Sequence, residues 1–226
     1  MIMLYVVSTP IGNLKDITFR AIEVLRDVDF IVCEDTRVTS ILLKHYGISK
    51  ELVSLNAFSE RFKIDKVIER LSNGENCSIV SDAGTPGISD PGARLISGCI
   101  KIGIDVSSVP GVSAVITALS ISGLPTDAFV YYGFLPIKKG RQKKLQAIRD
   151  ETRTVIIYES VHRIEKLIKE FSELFPERTI VICRELTKKF EEVWRGKASD
   201  LFNSLSQKTI KGEFVVLIAP QDWIED

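Results

Sequence analysis

CSIVSDAGTPGISDPGARLISGCIKIGIDVSSVPGVSAVITALSISG, residues Cys77–Gly123, is the stretch whose rhythm decides the fold. An apolar run, Cys77–Val80, passes directly into a loop rich in Gly and Pro, Ser81–Gly92. Helical spacing over Ala93–Ile102 follows, then a second apolar run at Asp105–Val109. A Pro-Gly corner at Pro110–Ala114 opens onto another helix, Ser113–Ser122, with Gly123 as its cap. Two strand–loop–helix units in succession predict parallel strands joined by crossover helices. The same alternation extends upstream. Met3–Val7, Phe30–Cys33 and Leu52–Leu55 read as strands. The apolar positions Ile22, Leu25 and Val28 follow helical spacing, as do Thr36–Tyr46, closed by Gly47, and the charged Glu60–Leu71. The first half is therefore expected to be a mostly parallel sheet with helices on both faces.

Downstream the character changes. After Gly123-Leu124-Pro125 comes an aromatic strand, Phe129–Phe134, and then PIKKGRQKK (Pro136–Lys144), the most basic segment of the chain. Strands at Thr154–Tyr158, Thr179–Cys183, Glu191–Arg195 and Gly212–Ala219 alternate with helices at Val161–Phe175 and Ala198–Ser206. Strands this closely spaced include antiparallel neighbours, so a second domain with a mixed sheet is expected. The boundary falls near residues 123–128, giving domains 1–123 and 124–226.

Composition limits what such a protein does. Of its 226 residues 45% are apolar and 27% charged, ordinary for a globular chain. Thirty basic side chains balance thirty acidic ones, so no global field draws the protein to nucleic acid or membrane, and a polyanion must be held by a local patch. The start, MIMLYVVSTPIGN, has no basic leader. The longest uncharged stretch, Val106–Thr126, is broken by Pro110, Gly111, Gly123 and Pro125. No membrane segment and a cytoplasmic location are expected. Cys33, Cys77, Cys99 and Cys183 form no CxxC pair and lie mostly in apolar runs, the pattern of reduced, buried thiols.

Ligands of parallel α/β sheets bind beyond the carboxyl ends of strands. Three loops at such ends are unusual: Ser8–Leu14, Ser81–Gly92 and Pro110–Ala114. Gly and Pro there let main chain approach a ligand closely and hold it rigidly. Each loop alone is a well-formed turn; together they describe a cleft lined by backbone. No GxGxxG follows the first strand and no GxxxxGK[ST] occurs, which speaks against a dehydrogenase or a P-loop enzyme. Two histidines and no Cys/His cluster supply no metal ligand set. Charged clusters interrupt the apolar tracts at EDTR (Glu34–Arg37), at RELTKKFEEVWRG (Arg184–Gly196) and at KKGRQKK (Lys138–Lys144). The last is the local patch that neutrality leaves room for.

As an ordered set, STPIGNLKDIT, EDTR, SDAGTPGISDPG, PGVSA, SGLPTDAFVYYGFLP, YESVHR and RELTKKFEEVWRG resemble the small-subunit ribosomal RNA cytidine 2′-O-methyltransferase I family, within the tetrapyrrole-methylase superfamily of S-adenosylmethionine (SAM) enzymes. The resemblance implies two α/β domains with SAM in the cleft between them, a homodimer, and methylation of a cytidine ribose in the decoding region of 16S rRNA in the small subunit. Many members of that family carry a C-terminal extension, whereas this sequence ends at Asp226. Carried over position by position, Pro10, Ile11, Gly12, Asp82, Ala83, Ile88, Ser113 and Ala114 would touch the cofactor from the first domain. Tyr158, Leu186, Lys211, Gly212 and Glu213 would do so from the second.

Methyl transfer to a ribose hydroxyl calls for alignment and for a base or a cation at the oxygen. Glu34, Asp35, Arg37 and Arg184 are the expected catalytic residues, with Asp16 and Glu159 as further candidates. Lys138, Lys139, Arg141, Lys143, Lys144, Arg163 and Lys188 are the expected RNA contacts. The competing readings are a tetrapyrrole- or diphthamide-type methyltransferase acting on a small molecule or protein, and a SAM-binding module without catalysis.

Overall fold

The computed structural model describes residues 2–55 and 60–224. The chain divides into two compact units, Met1–Ser113 and Ala114–Asp226. The first is a five-stranded sheet of β1 (Met3–Val7), β2 (Phe30–Cys33), β3 (Glu51–Ser54), β4 (Cys77–Ile79) and β5 (Asp105–Val109). Its order is β3-β2-β4-β1-β5, and every pairing is parallel. Alternate side chains along β2 show why the strands read as continuous apolar runs. Phe30 and Val32 pack on one face with α3 (Glu60–Ser72) and α4 (Ala93–Lys101). Ile31 and Cys33 pack on the other with α1 (Phe19–Asp27) and α2 (Thr36–His45). Both of those helices are capped by the side chain before them: Thr18 accepts from the Ala21 amide, and Asp35 from that of Arg37.

This strand order fixes where a ligand can sit. From β1 the chain crosses by α1 to β2 on one side; from the adjacent β4 it crosses by α4 to β5 on the other. The connections leave neighbouring strands in opposite directions, which opens a crevice at their carboxyl ends. The loops beyond β1 and β4 are two of the three that the sequence singles out.

The second unit is a mixed sheet of β6 (Phe129–Phe134), β7 (Thr154–Ser160), β8 (Thr179–Arg184), β9 (Glu192–Lys197) and β10 (Glu213–Ile218). The order is β6-β7-β10-β8-β9, with β6 parallel to β7 and the other pairs antiparallel. Helices α6 (Arg141–Arg149), α7 (Ile164–Leu174) and α8 (Ala198–Asn203) bury Leu145, Ile148, Leu167, Phe171 and Leu201 against one face. Helix α5 (Ala114–Ser120) belongs to this unit too. The basic segment continues as helix α6. Its buried stripe of Arg141, Leu145 and Ile148 is interrupted by lysines and starts from Gly140 in the left-handed region, at φ +84°. Helix α7 begins three residues later than its apolar period suggests, because Val161–Arg163 form a turn.

All four cysteines are buried and unpaired, and burial pushes the Cys99 and Cys183 thiols up to about 11 and about 12. Among the described residues no helix is long and apolar enough to cross a membrane.

Candidate active site

The three loops of the first unit are laced together at the crevice. Thr9 and Gly84 exchange main-chain hydrogen bonds of 2.9 and 3.0 Å, a single antiparallel bridge between the loops beyond β1 and β4. Thr9 Oγ1 also donates to the Ser81 carbonyl at 3.0 Å. The third loop is tied in from both sides: Thr85 Oγ1 donates to Val112 O at 3.1 Å, and the Ser8 amide to Val109 O at 3.3 Å. The Ser8 and Thr85 hydroxyls lie 3.0 Å apart. Glycine is required at two of these points. Gly84 has φ +81°, and a Cβ on Gly111 would stand 2.9 Å from Ser8 Cβ. The sequence thus places Pro10, Ile11, Gly12, Asp82, Ala83, Ile88 and Ser113 on one set of joined loops, with Ala114 opening α5. Pro10 and Ile11 are buried, Asp82 is half-buried, and Gly12, Ala83 and Ile88 are exposed. A cavity of about 120 Å³ lies where these loops meet α2, walled by Thr9, Pro10, Leu14, Thr39, Leu42 and Asp82 among others.

Carboxylates collect beside it. Asp35 caps α2 and is gripped by Arg37, whose Nη2 lies 2.5 Å from Oδ2; those bonds hold the Asp35 carboxyl at about 2. The Asp35 amide donates to Asp82 Oδ1 at 3.1 Å. Asp82 is raised from its ordinary value by burial first, against the Asp35 amide hydrogen bond, and also by the charge of Asp35. Glu34 is raised in the same way, by burial and by the fields of Asp82, Asp90 and Asp35. Asp90, which sequence reasoning missed although it lies within SDAGTPGISDPG, is pushed by burial to about 6, partly offset by a Ser81 hydrogen bond. Three of these carboxyls, Glu34, Asp82 and Asp90, are raised by burial and by the charge of neighbouring carboxylates, the setting in which a cationic ligand is favoured. Among the described residues no cluster suits a metal ion.

The other acidic candidates are engaged or apart. Glu159 is buried in an ion pair with Arg163 at 2.9 Å. Asp16 lies in the single turn Leu14–Asp16, with Oδ2 buried and without a hydrogen-bond partner.

In the second unit Arg184 is buried and donates to Lys211 O at 2.7 Å and Phe190 O at 2.9 Å, fastening the RELTKKFEE loop to the turn before β10. Lys188 bridges Glu185 and Glu213 at 2.9 and 2.7 Å. Glu185 in turn accepts the Glu213 amide. Gly212, at φ +90°, is demanded by this knot, since a Cβ there would overlap the Glu185 carboxylate. Glu185 and Thr187 are themselves left-handed, at φ +52° and +64°, and flank the buried Leu186. Strain of that kind is held by its surroundings, as at ligand sites. Tyr158 is half-buried on β7 beside Val215.

The expected RNA contacts divide into two kinds. Lys138, Lys139 and Lys143 are exposed, and Lys144 lies over the Tyr132 ring at 4.0 Å. Arg141 is buried against Glu170 at 2.5 Å and donates to Pro136 O. Arg163 holds Glu159 and Leu135 O. Both arginines brace the loop that carries the lysines.

This pair of units, with a crevice at a parallel switch point, is a known enzyme architecture. Residues 3–201 match the family model described as Tetrapyrrole (Corrin/Porphyrin) Methylases. Solved structures of a cobalt precorrin-4 methyltransferase (TM-score 0.72, 18% identity, 96% of this chain and 95% of that one) and of a diphthine synthase (0.75, 15%, 96% and 89%) share the fold. Curated relatives named ribosomal RNA small subunit methyltransferase I are far more similar in sequence. The Hydrogenobaculum sp. (strain Y04AAS1) protein is 47% identical over 97% of this chain and 96% of its own length. The Escherichia coli O157:H7 protein is 46% identical over 95% and 77%. The chain belongs to the ribosomal RNA small subunit methyltransferase I family of the tetrapyrrole methylases, and it is a methyltransferase.

Proposed function

We propose that this methyltransferase moves the methyl group of SAM to the 2′-hydroxyl of a cytidine ribose in the decoding region of 16S rRNA, working as a cytoplasmic homodimer on the small subunit. The observation that carries this reading is the lacing of three Gly/Pro loops around half-buried carboxylates in the first unit. The residues present suit the cofactor. Short side chains and turned peptide groups leave room for close approach, and raised carboxyls favour a ligand bearing sulfonium and ammonium charges. Pro10, Ile11, Gly12, Asp82, Ala83, Ile88, Ser113 and Ala114 would hold it, with Tyr158, Leu186, Lys211, Gly212 and Glu213 as the contribution of the second unit. When bound, the cofactor supplies an electrophilic methyl carbon on a cationic sulfur.

The chain's own part is alignment and proton handling. Asp35 is held ionised by Arg37 and fixes the end of β2. Glu34, desolvated and of raised pKa, is the acceptor for the hydroxyl proton. Arg184 acts at a distance, by fixing the turn at Lys211. Lys138, Lys139, Lys143 and Lys144 meet phosphates; Arg141, Arg163 and Lys188 keep their loops in place.

The experiment is methylation of isolated small subunits with isotopically labelled SAM, followed by mass-spectrometric mapping of the rRNA. One cytidine ribose is expected to gain the label. Asp82→Ala is expected to abolish the signal and Glu34→Gln to lower kcat about 100-fold with SAM affinity retained. Label on a base, on protein or on no particle component would contradict the reading.

A further inference from the structure

In a regular strand Tyr131 and Phe134 point to opposite faces, because side chains alternate with period two. Here they share one. Strand β6 pairs with β7 in register at Tyr131↔Ile156, then slips, resuming at Gly133↔Ile157 and Phe134↔Tyr158. The slip takes in Tyr132 and Gly133, and Gly133 lies in the left-handed region at φ +62°. A bulge of this kind re-aims side chains. It turns Tyr132 towards the core that α6 and α7 cover and sets Tyr131 and Phe134 on the same side of the sheet as Tyr158. The three rings form one group: Tyr131 and Phe134 stand edge-to-face with Tyr158, at centroid distances of 5.1 and 5.7 Å. Phe134 is 54% exposed, on the edge strand of the sheet.

From Phe134 the chain runs directly into the loop bearing the exposed Lys138 and Lys139, with Lys143 one turn further on. That loop is anchored at its start, because Arg163 holds Leu135 O and Arg141 holds Pro136 O from an ion pair with Glu170. A pre-set aromatic surface bordered by lysines matches one class of partner. Single-stranded RNA offers unstacked bases to the rings and phosphates to the cations, whereas duplex RNA keeps its bases stacked and out of reach.

We propose that Phe134 and Tyr131 are a stacking platform for bases of single-stranded RNA, with Lys138, Lys139 and Lys143 tracking its backbone. The assignment rests on the reading that the substrate is RNA, and it adds that the segment beside the target is unpaired. Tyr158 props the two rings.

The test is binding of a labelled 12-nucleotide single-stranded oligoribonucleotide, and of the same sequence as a duplex, to the full chain and to Phe134→Ala and Phe134→Trp, by fluorescence anisotropy over a series of salt concentrations. The single strand is expected to bind more tightly than the duplex. Phe134→Ala should weaken it about tenfold, leave the salt slope unchanged, and be rescued by Phe134→Trp. Sedimentation should not move, and SAM affinity by calorimetry should change far less than RNA affinity, because Phe134 meets the proposed cofactor residues only through Tyr158. Equal binding by wild type and Phe134→Ala overturns the platform. So does a parallel loss of SAM binding, which would place Phe134 at the cofactor, or an altered oligomeric state, which would make this face an interface between copies. The assay needs no turnover: a wild-type protein that binds RNA in this way but methylates no ribosomal particle keeps the platform and sinks the proposed activity.

Discussion

Asp35 and Asp90 lie beyond the carboxyl ends of adjacent strands, yet their carboxyls stand at about 2 and about 6. The difference is one of surroundings: Asp35 has a guanidinium and its own helix N-terminus, Asp90 has burial and one hydroxyl. Because Asp90 is raised above the unfolded carboxylate value, the stability it gives is present below pH ~4 and lost as pH rises through about 6. Asp90→Asn should therefore gain about 1 kcal/mol at pH 8, the shift being discounted for partial exposure, and nothing at pH 4. Urea unfolding at the two pH values reads this; an equal effect at both would show that Asp90 is not strained by its charge. Arg141 and Lys139 make a second contrast. Arg141→Ala removes the buried guanidinium from the half-buried Glu170, which is left with Lys166 at 4.0 Å, and should cost about 2–3 kcal/mol of stability, below the full cost of breaking a buried pair. Lys139→Ala should leave stability within about 0.5 kcal/mol but reduce the salt slope of RNA binding by about one. In the sequence these two cations look alike. The partner of Arg141 lies 29 residues away, so their different roles could not be read there.

At the level of elements, loops and strands were the legible part. Gly and Pro at strand ends mark Ser8–Leu14, Ser81–Gly92 and Pro110–Ala114, and the structure joins these loops through Thr9, Gly84 and Thr85. The joining itself has an experimental signature. Gly111→Ala should press the third loop off the first, weaken SAM binding at least tenfold and lower Tm by a few degrees. Ser8→Gly, which removes the atom struck, should restore part of both losses. Calorimetric titration of the two single variants and the double variant checks it; strictly additive losses would mean that the loops are independent. Two features escaped the sequence. Helix α6 hides a stripe of Arg141, Leu145 and Ile148 among lysines, so its period is faint. The bulge at Tyr132–Gly133 reverses the parity of β6, and alternation alone cannot announce an inserted residue.

For the molecule as a whole, the βα rhythm predicts a parallel sheet but not its order, because order is settled by which side each crossover takes. The order β3-β2-β4-β1-β5 is what makes the loops beyond β1 and β4 neighbours at a switch point, and the candidate site follows from that adjacency. Residues expected to act together there were legible as motifs. The division of labour among Glu34, Asp35, Asp82 and Asp90 was not, since it depends on burial. The most direct measurement is hydrogen–deuterium exchange of the full chain with and without saturating SAM. Amides of residues 8–14, 81–92 and 111–114 should slow together, beyond any change in β3 or α3. Protection confined to one of these loops, or absent from all three while SAM is bound, would contradict the account.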